Sequence, residues 1–441
     1  MRVLISGGGT GGHVYPALAV VTQLNQINLN QEQNLEKIDP NLPNLALPNQ
    51  RLQNPAVNNE AVNPEKKPIP AQTKAQRKQG IAGLSDQPAN LLWVGSTDGM
   101  EAELVQRAGL AYRGIDTGQL RGMNPSRFVA NLGKIAIGLR QSLKILDDFQ
   151  PEACFVTGGY VCAPVIAACR LRGIPVLIYL PDMKPGWAIQ WMSKLAQRVA
   201  ISFPAVASYF GGEYPKGKAV VTGYPVRAEM TAWADQDTAH DRQKARTQLS
   251  QALDRPFLED TKPLVLIFGG SQGARSINHA IWQALPSLLP EAHLLHVVGI
   301  RDWPLYEKAL PDLVDIPNFD ERYHPVTYLH DEMILALLAA DIAVARAGAS
   351  TLGEFPMARL PSLLVPLPFA GVNQVQNAET LAEHGAAVVL QDDTLGETLG
   401  DALRNLLGDN DKRVQMEVVL AQLAQPDAAL KIAQELYGLV R

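Results

Sequence analysis

At 441 residues the chain is too long for one ordinary core, so two domains are expected. Its 46% hydrophobic and 19% charged residues are those of a globular soluble protein, and a net charge of −5 argues against bulk nucleic-acid binding. Cys154, Cys162 and Cys169 show neither CxxC pairing nor zinc spacing and read as buried thiols in a reducing compartment.

The chain opens on an apolar strand, residues 2–6, with no charged n-region and cleavage site, so no secretory signal is read. Helical apolar spacing follows over 14–24. From 26 to 90 the composition turns to Asn, Gln and Pro with few large apolar residues, which predicts a disordered or loosely packed insert. Order resumes with a strand at 91–97 and a helix at 98–108. Residues 120–147 mix Leu, Ile, Val and Phe with Arg121, Arg127, Lys134, Arg140 and Lys144. They suit either an amphipathic core helix or a segment lying on anionic lipid. Strands follow at 153–159, 175–181, 198–202 and 218–223. The second half begins with PLVLIF and adds strands at 294–299, 340–346, 361–366 and 386–390, with a final helix over 411–438. No apolar run reaches the roughly 18 residues of a membrane span; the nearest, from Met333 to Val344, is short and holds Asp341. The expected location is therefore cytoplasmic or on a membrane surface.

Continuous apolar strands alternating with helices predict an α/β protein: two Rossmann-like domains, each a parallel sheet covered on both faces, with a cleft between them. Ligands in such sheets bind at the carboxyl ends of the strands. That rule selects Gly7–His13, Gly158–Tyr160, Gly269–Ala274, Arg346–Glu354 and Phe369–Asn377.

Two strand–glycine–helix junctions stand out. Gly7 to Gly12 fits G-x-G-x-x-G, but no strand-ending acid follows to hold a ribose, which disfavours a dinucleotide site. The glycines still allow close approach of backbone to an anion. His13 follows directly, either as a helix-end histidine satisfied by backbone or as a proton-accepting group aimed into the cleft. The second junction is Gly269-Gly270-Ser271-Gln272-Gly273, where Ser271 can cap a helix whose N-terminus suits a pyrophosphate. Thr351-x-x-Glu354 matches a capping box; alternatively Glu354 accepts from two ribose hydroxyls. Asn373, Gln374 and Asn377 enter a further helix and offer amides suited to sugar hydroxyls. No D-x-D stands in a metal-binding context; Asp235 and Asp237 lie in a charged stretch.

Taken in order, GGGTGGHVYPALA, GGYVCAP, GYPVR, GGSQGAR, AGASTLGE and NQVQNA closely resemble the MurG family of bacterial UDP-N-acetylglucosamine transferases. The likeness spans nearly everything outside 26–90. It implies a GT-B fold and inverting transfer of N-acetylglucosamine from UDP-GlcNAc to lipid I, giving lipid II, in peptidoglycan synthesis, with no metal or other cofactor. It implies an acceptor domain over 1–226, a donor domain over 227–424 and a C-terminal helix, 425–441, packing back on the first domain. By matching motifs, Ser271, Gln272 and Gly273 would meet the diphosphate, and Arg227 the nucleotide near the interdomain joint. Glu354 would hold the ribose, Asn373 and Gln374 the sugar, and His330 would lie beside the uracil. Thr10, Gly11, Gly12 and His13, with Gly158, Gly159 and Tyr160, would form the acceptor side. The resemblance also implies a peripheral protein on the cytoplasmic face of the membrane, meeting a lipid-linked acceptor, anionic lipid and cell-wall synthesis partners, and no nucleic acid. The chain departs from the family pattern where His-Glu-Gln-Asn is replaced by Tyr179-Leu180-Pro181-Asp182, while Gly186 is kept. Cys162-Ala163 stands for Ser-Gly, Tyr224 for Asn, Asn373 for Gln and His330 for an apolar residue. For the base, His13 and Asp182 are both candidates.

Overall fold

A computed structural model describes residues 1–8, 11–38, 90–99, 101–118, 125–233, 238–255, 261–270, 273–367 and 373–440. The first half runs β1 (Val3–Gly7), α1 (Gly11–Ile38), β2 (Leu91–Ser96), α2 (Glu101–Arg107), β3 (Ala111–Ile115), α3 (Pro125–Phe149), β4 (Ala153–Gly158), α4 (Cys162–Arg172), β5 (Val176–Leu180), α5 (Trp187–Ser193), β6 (Arg198–Ile201) and β7 (Ala219–Val221). The second continues with α6 (Ala228–Thr231), α7 (Thr238–Leu253), β8 (Leu264–Phe268), α8 (Arg275–Leu288), β9 (His293–Val297), α9 (Trp303–Leu313), α10 (Phe319–Arg322), β10 (Tyr323–Val326), α11 (Glu332–Ala339) and β11 (Ile342–Ala345). It closes with α12 (Thr351–Ala358), β12 (Ser362–Leu364), α13 (Gln374–Glu383), β13 (Ala387–Val389), α14 (Leu395–Gly408), α15 (Asn410–Leu423) and α16 (Ala428–Gly438).

The strands form two parallel sheets, ordered β3-β2-β1-β4-β5-β6-β7 and β10-β9-β8-β11-β12-β13. The apolar runs of β1, β4 and β5 are buried along their whole length, as strands covered by helices on both faces must be. In each sheet the strand order reverses at one point: between β1 and β4, and between β8 and β11. The register there sets Val3 against Ala153 and Ile342 against Val265. The loops leaving these four strands therefore open at the two switch points, where a crevice forms.

Residues 1–24 and 90–441 form one compact unit and 25–89 another. Of the second, only 25–38 is described, as the end of α1. That corrects the expectation of disorder from residue 26. The stretch QINLNQEQNLEKI is free of Gly and Pro and rich in Gln, Glu and Leu, good helix formers, and Pro40 follows its end. The expected terminal helix over 411–438 is instead two helices, α15 and α16, broken around Pro426. Two strands were not anticipated, β3 and β10, and both are sheet edges.

The chain passes between the halves twice. It leaves β7 through Thr222–Arg227 and returns through Ala424–Asp427. The crossings touch: a Cβ on Gly223, at φ +87°, would lie 2.6 Å from Gln425 Cβ. Beyond the second crossing, Glu435 of α16 pairs with Arg198 of β6.

Beneath α8 lies a buried polar chain. Trp282 Nε1 donates to Tyr323 Oη at 2.9 Å, and that hydroxyl is 2.8 Å from His296 Nδ1. His296 Nε2 is 2.9 Å from Asn278 Oδ1, which can only accept, and Asn278 Nδ2 donates to Asp302 at 3.1 Å. Nε2 therefore carries the imidazole proton and Nδ1 accepts from Tyr323. Burial drives the His296 pKa down to about 3, so the ring is neutral.

Candidate active site between the two sheets

At the first switch point the β1–α1 and β4–α4 loops press together. Gly8 N donates to Gly158 O at 3.1 Å. Gly158 and Gly159 take φ of +119° and +97°, and a Cβ on Gly159 would lie 2.7 Å from Gly8 O. Only glycine fits both the backbone conformation and the space. The imidazole of His13 lies over Gly158, where a Cβ would be 2.9 Å from its Cε1.

His13 Nδ1 is 2.8 Å from Thr157 O. A carbonyl can only accept, so Nδ1 carries the proton and the neutral ring keeps its lone pair on Nε2. The backbone-satisfied reading of His13 is what Nδ1 shows, and it leaves Nε2 free to accept. Burial lowers the His13 pKa, opposed by the nearby Asp182 carboxylate and by the Thr157 hydrogen bond. The ring is neutral at neutral pH, with a negative charge beside it.

Asp182 follows β5 on the loop running to α5, and its placement depends on the other half. Asn377 of α13, fully buried, donates Nδ2 to Asp182 Oδ1 at 3.1 Å and to Ala347 O at 3.2 Å. Its Oδ1 accepts from Met183 N at 3.2 Å. Asn373 Nδ2 donates to Lys184 O at 2.7 Å. Gln374 Oε1 accepts from Leu367 N at 3.0 Å. The two amides expected to face a sugar thus carry protein contacts here, one of them across the halves.

A second cluster assembles around Arg227. Its guanidinium lies 4.9 Å from the ring centroid of Tyr15, a residue of α1, so the halves meet there as well. Arg227 Nε is buried and finds no acceptor among the described residues. Glu354 lies close by: burial raises its pKa, while the Arg227 charge and a hydrogen bond from Ser350 lower it. Thr351 is not the cap expected from the sequence. Helix α12 begins at Thr351, whose hydroxyl donates to Gly348 O at 2.7 Å. Ser350 takes the N-cap position and leaves the helix without a side-chain cap. Buried Tyr224 packs against Gly353, where a Cβ would meet its ring at 2.3 Å.

At the second switch point α8 starts at Arg275, later than a cap at Ser271 requires. Ala274 holds the N-cap position with no side-chain cap, so the first N–H groups have no side-chain acceptor there. Gly273, at φ +79°, leads into the helix. Arg346, at the end of β11, is spent on structure: it donates to Asp392, Ser276 Oγ and Val365 O. His330 is exposed, with its ring 4.7 Å from that of Tyr328. Tyr160 is 48% exposed beside the first switch point. Thr10, Ser271 and Gln272 lie outside the described residues, as do Arg121, Asp235 and Asp237; Gly11 and Gly12 open α1.

The structure thus brings His13, Asp182, Gly158 and Gly159 together from one half, and Arg227, Glu354, Asn373 and Gln374 from the other. Sequence reading overlooked Tyr15, Thr157 and the tie from Asn377. A tyrosine two residues after His13 was the only available sign of the first, and the others depend on contacts between distant segments.

Two parallel sheets of this topology, each with one switch point, make up the GT-B fold. Residues 81–201 match the glycosyltransferase family 28 N-terminal domain and 264–432 its C-terminal domain. A protein of Roseiflexus sp. (strain RS-1) named UDP-N-acetylglucosamine--N-acetylmuramyl-(pentapeptide) pyrophosphoryl-undecaprenol N-acetylglucosamine transferase is 35% identical over 100% of this chain and 95% of its own. A Listeria welshimeri protein of the same name is 31% identical over 100% of both chains. The chain belongs to this transferase family, the MurG family. Among solved structures, Acinetobacter baumannii MurG aligns over 99% of each chain with a TM-score of 0.65 at 24% identity. A UDP-GlcNAc 2-epimerase from Neisseria meningitidis, solved bound to UDP-GlcNAc, aligns over 99% of this chain and 100% of its own with a TM-score of 0.61 at 14% identity. These structural likenesses carry the fold alone, since a transferase and an epimerase share it; the sequence likeness separates them.

Proposed function

We propose that the chain transfers N-acetylglucosamine from UDP-GlcNAc to lipid I by direct inverting displacement, giving lipid II. The observation that supports this best is His13, with Nδ1–H fixed on Thr157 O, Nε2 unprotonated and Asp182 alongside. The acceptor hydroxyl oxygen bonds to C1 of the sugar as the bond from C1 to the β-phosphate oxygen breaks. UDP leaves with that electron pair, and His13 Nε2 takes the hydroxyl proton. Asp182 steadies the imidazolium that results. Charge growing on the diphosphate is met by the N-terminus of α8 with Ser271, Gln272 and Gly273, without a metal. Arg227 and Glu354 hold the nucleoside, with His330 near the base. Asn373 and Gln374 turn toward the sugar when donor binds. Thr10, Gly11, Gly12, Gly158, Gly159 and Tyr160 receive the acceptor's pyrophosphate. In these terms residues 1–226 are the acceptor half, 227–424 the donor half, and 425–441 the returning helix.

The protein works on the cytoplasmic face of the membrane, where its lipid-linked acceptor is held. No described helix is long and apolar enough to cross a bilayer. The surface instead suits peripheral binding: Ile137 is 52% exposed on α3, with Lys134 and Arg140 one turn to either side. Trp187 and Trp191 on α5 are 70% and 45% exposed. Co-sedimentation with vesicles containing anionic lipid should fall several-fold for Trp187→Ala/Trp191→Ala; unchanged binding would move the contact elsewhere.

The activity test is UDP release from UDP-GlcNAc with and without lipid I. Acceptor-dependent release with a disaccharide product supports the proposal. An epimerised sugar without acceptor would support the epimerase reading, and no reaction in either case would leave a binding protein.

A further inference from the structure

We infer that Asn377 is a positioning residue that holds Asp182 beside His13, so that a side chain of the donor half completes the acid–base pair of the acceptor half. The inference rests on the transferase reading above. Asn377 is fully buried and both ends of its amide are hydrogen-bonded. Both donors are engaged, on Asp182 Oδ1 and Ala347 O, and its oxygen accepts from Met183 N. Here two of the three partners, Asp182 and Met183, belong to the other half, on the loop that carries the carboxylate. The third, Ala347, begins the loop leading to Glu354. One side chain therefore ties the carboxylate loop to the segment leading to the proposed ribose ligand. Asn373 reinforces the tie at Lys184 O.

The orientation matters because Asp182 stands on the loop after β5, the strand beside β4 whose Thr157 O holds His13, and among the described residues only Asn377 holds its carboxylate. Asp182 acts electrostatically on His13 of α1, Tyr179 of β5 and Tyr224 of the crossing segment, and Glu354 and Arg227 act on Tyr224 as well. Of the three groups that Asp182 acts on, only His13 ordinarily changes charge near neutral pH. When the halves part, the Asn377 contact is lost and the carboxylate is free to turn away.

A double-mutant cycle with Asp182→Ala and Asn377→Ala tests this, reading kcat, the KM for UDP-GlcNAc, and the acid limb of kcat against pH. Loss of Asp182 should lower kcat by about 100-fold, a usual share for acid–base assistance. Asn377→Ala should lower kcat at least about 10-fold, change the donor KM less than about two-fold, and move the acid limb in the same direction as Asp182→Ala does. The double variant should be within about two-fold of Asp182→Ala alone. If the two losses multiply, or if Asn377→Ala raises the donor KM while kcat holds, the inference is wrong. Should Asn377→Ala fail to fold by circular dichroism and thermal melting, Asn377→Ser, which keeps one donor, carries the cycle. A wild-type protein that transfers nothing to lipid I brings down the activity reading, and this inference with it. A wild-type protein that transfers, with an additive cycle, brings down the inference only.

Discussion

In the proposed mechanism His13 performs two tasks that elementary chemistry assigns to different nitrogens. The Thr157 carbonyl fixes the tautomer, and burial keeps the remaining nitrogen unprotonated. Since the neutral ring is the active form, kcat/KM should be flat at neutral pH and fall on an acid limb below the ordinary histidine value of 6.5. Asp182→Asn removes the charge that opposes this lowering. The limb should move further to the acid side and the plateau rate should drop; a limb that stays in place would separate Asp182 from His13. Glu354 makes a second prediction at this scale. Glu354→Gln replaces a charged acceptor by a neutral one and leaves Arg227 without its counter-charge. Hydrogen bonds to charged groups contribute about 1.5–3 kcal/mol, so the donor KM should rise roughly 10- to 150-fold with a smaller effect on kcat. An unchanged KM would remove Glu354 from the donor site. The residue types at both positions were readable, because glycine junctions mark where a backbone approaches an anion. What could not be read was the partner of each. Arg227 meets Tyr15 and Asp182 meets Asn377 across about 200 residues of chain, and no local pattern encodes such a meeting.

At the scale of elements, the central strands were legible, and so were the edges β7 and β13, but the edges β3 and β10 were not. β1, β4, β5 and β8 are unbroken apolar runs because helices cover both faces. β3 has mostly exposed side chains and β10 contains Pro325, so neither shows the apolar run that marks a strand. Edges tolerate both features, since one side of the strand needs no partner. The loops at the switch points are the more exacting elements. Gly159→Ala would force a Cβ to 2.7 Å from Gly8 O at φ +97°. Backbone strain of this kind costs about 1–3 kcal/mol before the clash is counted, so both stability and activity should fall. Gly173→Ala is the control: it also has a positive φ, +70°, but open space around it. It should cost about 1 kcal/mol and leave kcat intact. Urea midpoints and kcat on the two variants check this; equal effects would mean that conformation rather than contact governs Gly159.

For the whole molecule, buried histidines set the response to acid. His296 and His324 both have pKa values pressed to about 3, mainly by burial, and His13 is lowered as well. Below pH 6.5 the unfolded chain binds protons at these sites that the folded chain refuses. Stability must therefore fall as pH falls from about 6.5 toward 3, by about 1.4 kcal/mol per pH unit each for His296 and His324, with His13 adding in the same sense. Glu354, raised by burial, acts in the opposite sense but is one group against three. Urea titrations at pH 7, 6, 5 and 4 should show the midpoint dropping steadily; a flat series would contradict the burial of these rings.

The paired crossings at Gly223 and Gln425 have a mechanical consequence. Two polypeptide connections lying side by side act like the leaves of a door hinge. Bending about the line they define is freer than twist about any other axis. In the proposed mechanism, closure about that line would return the sugar-bearing half to the same alignment over its target, so registration of the reactants is built into the joint.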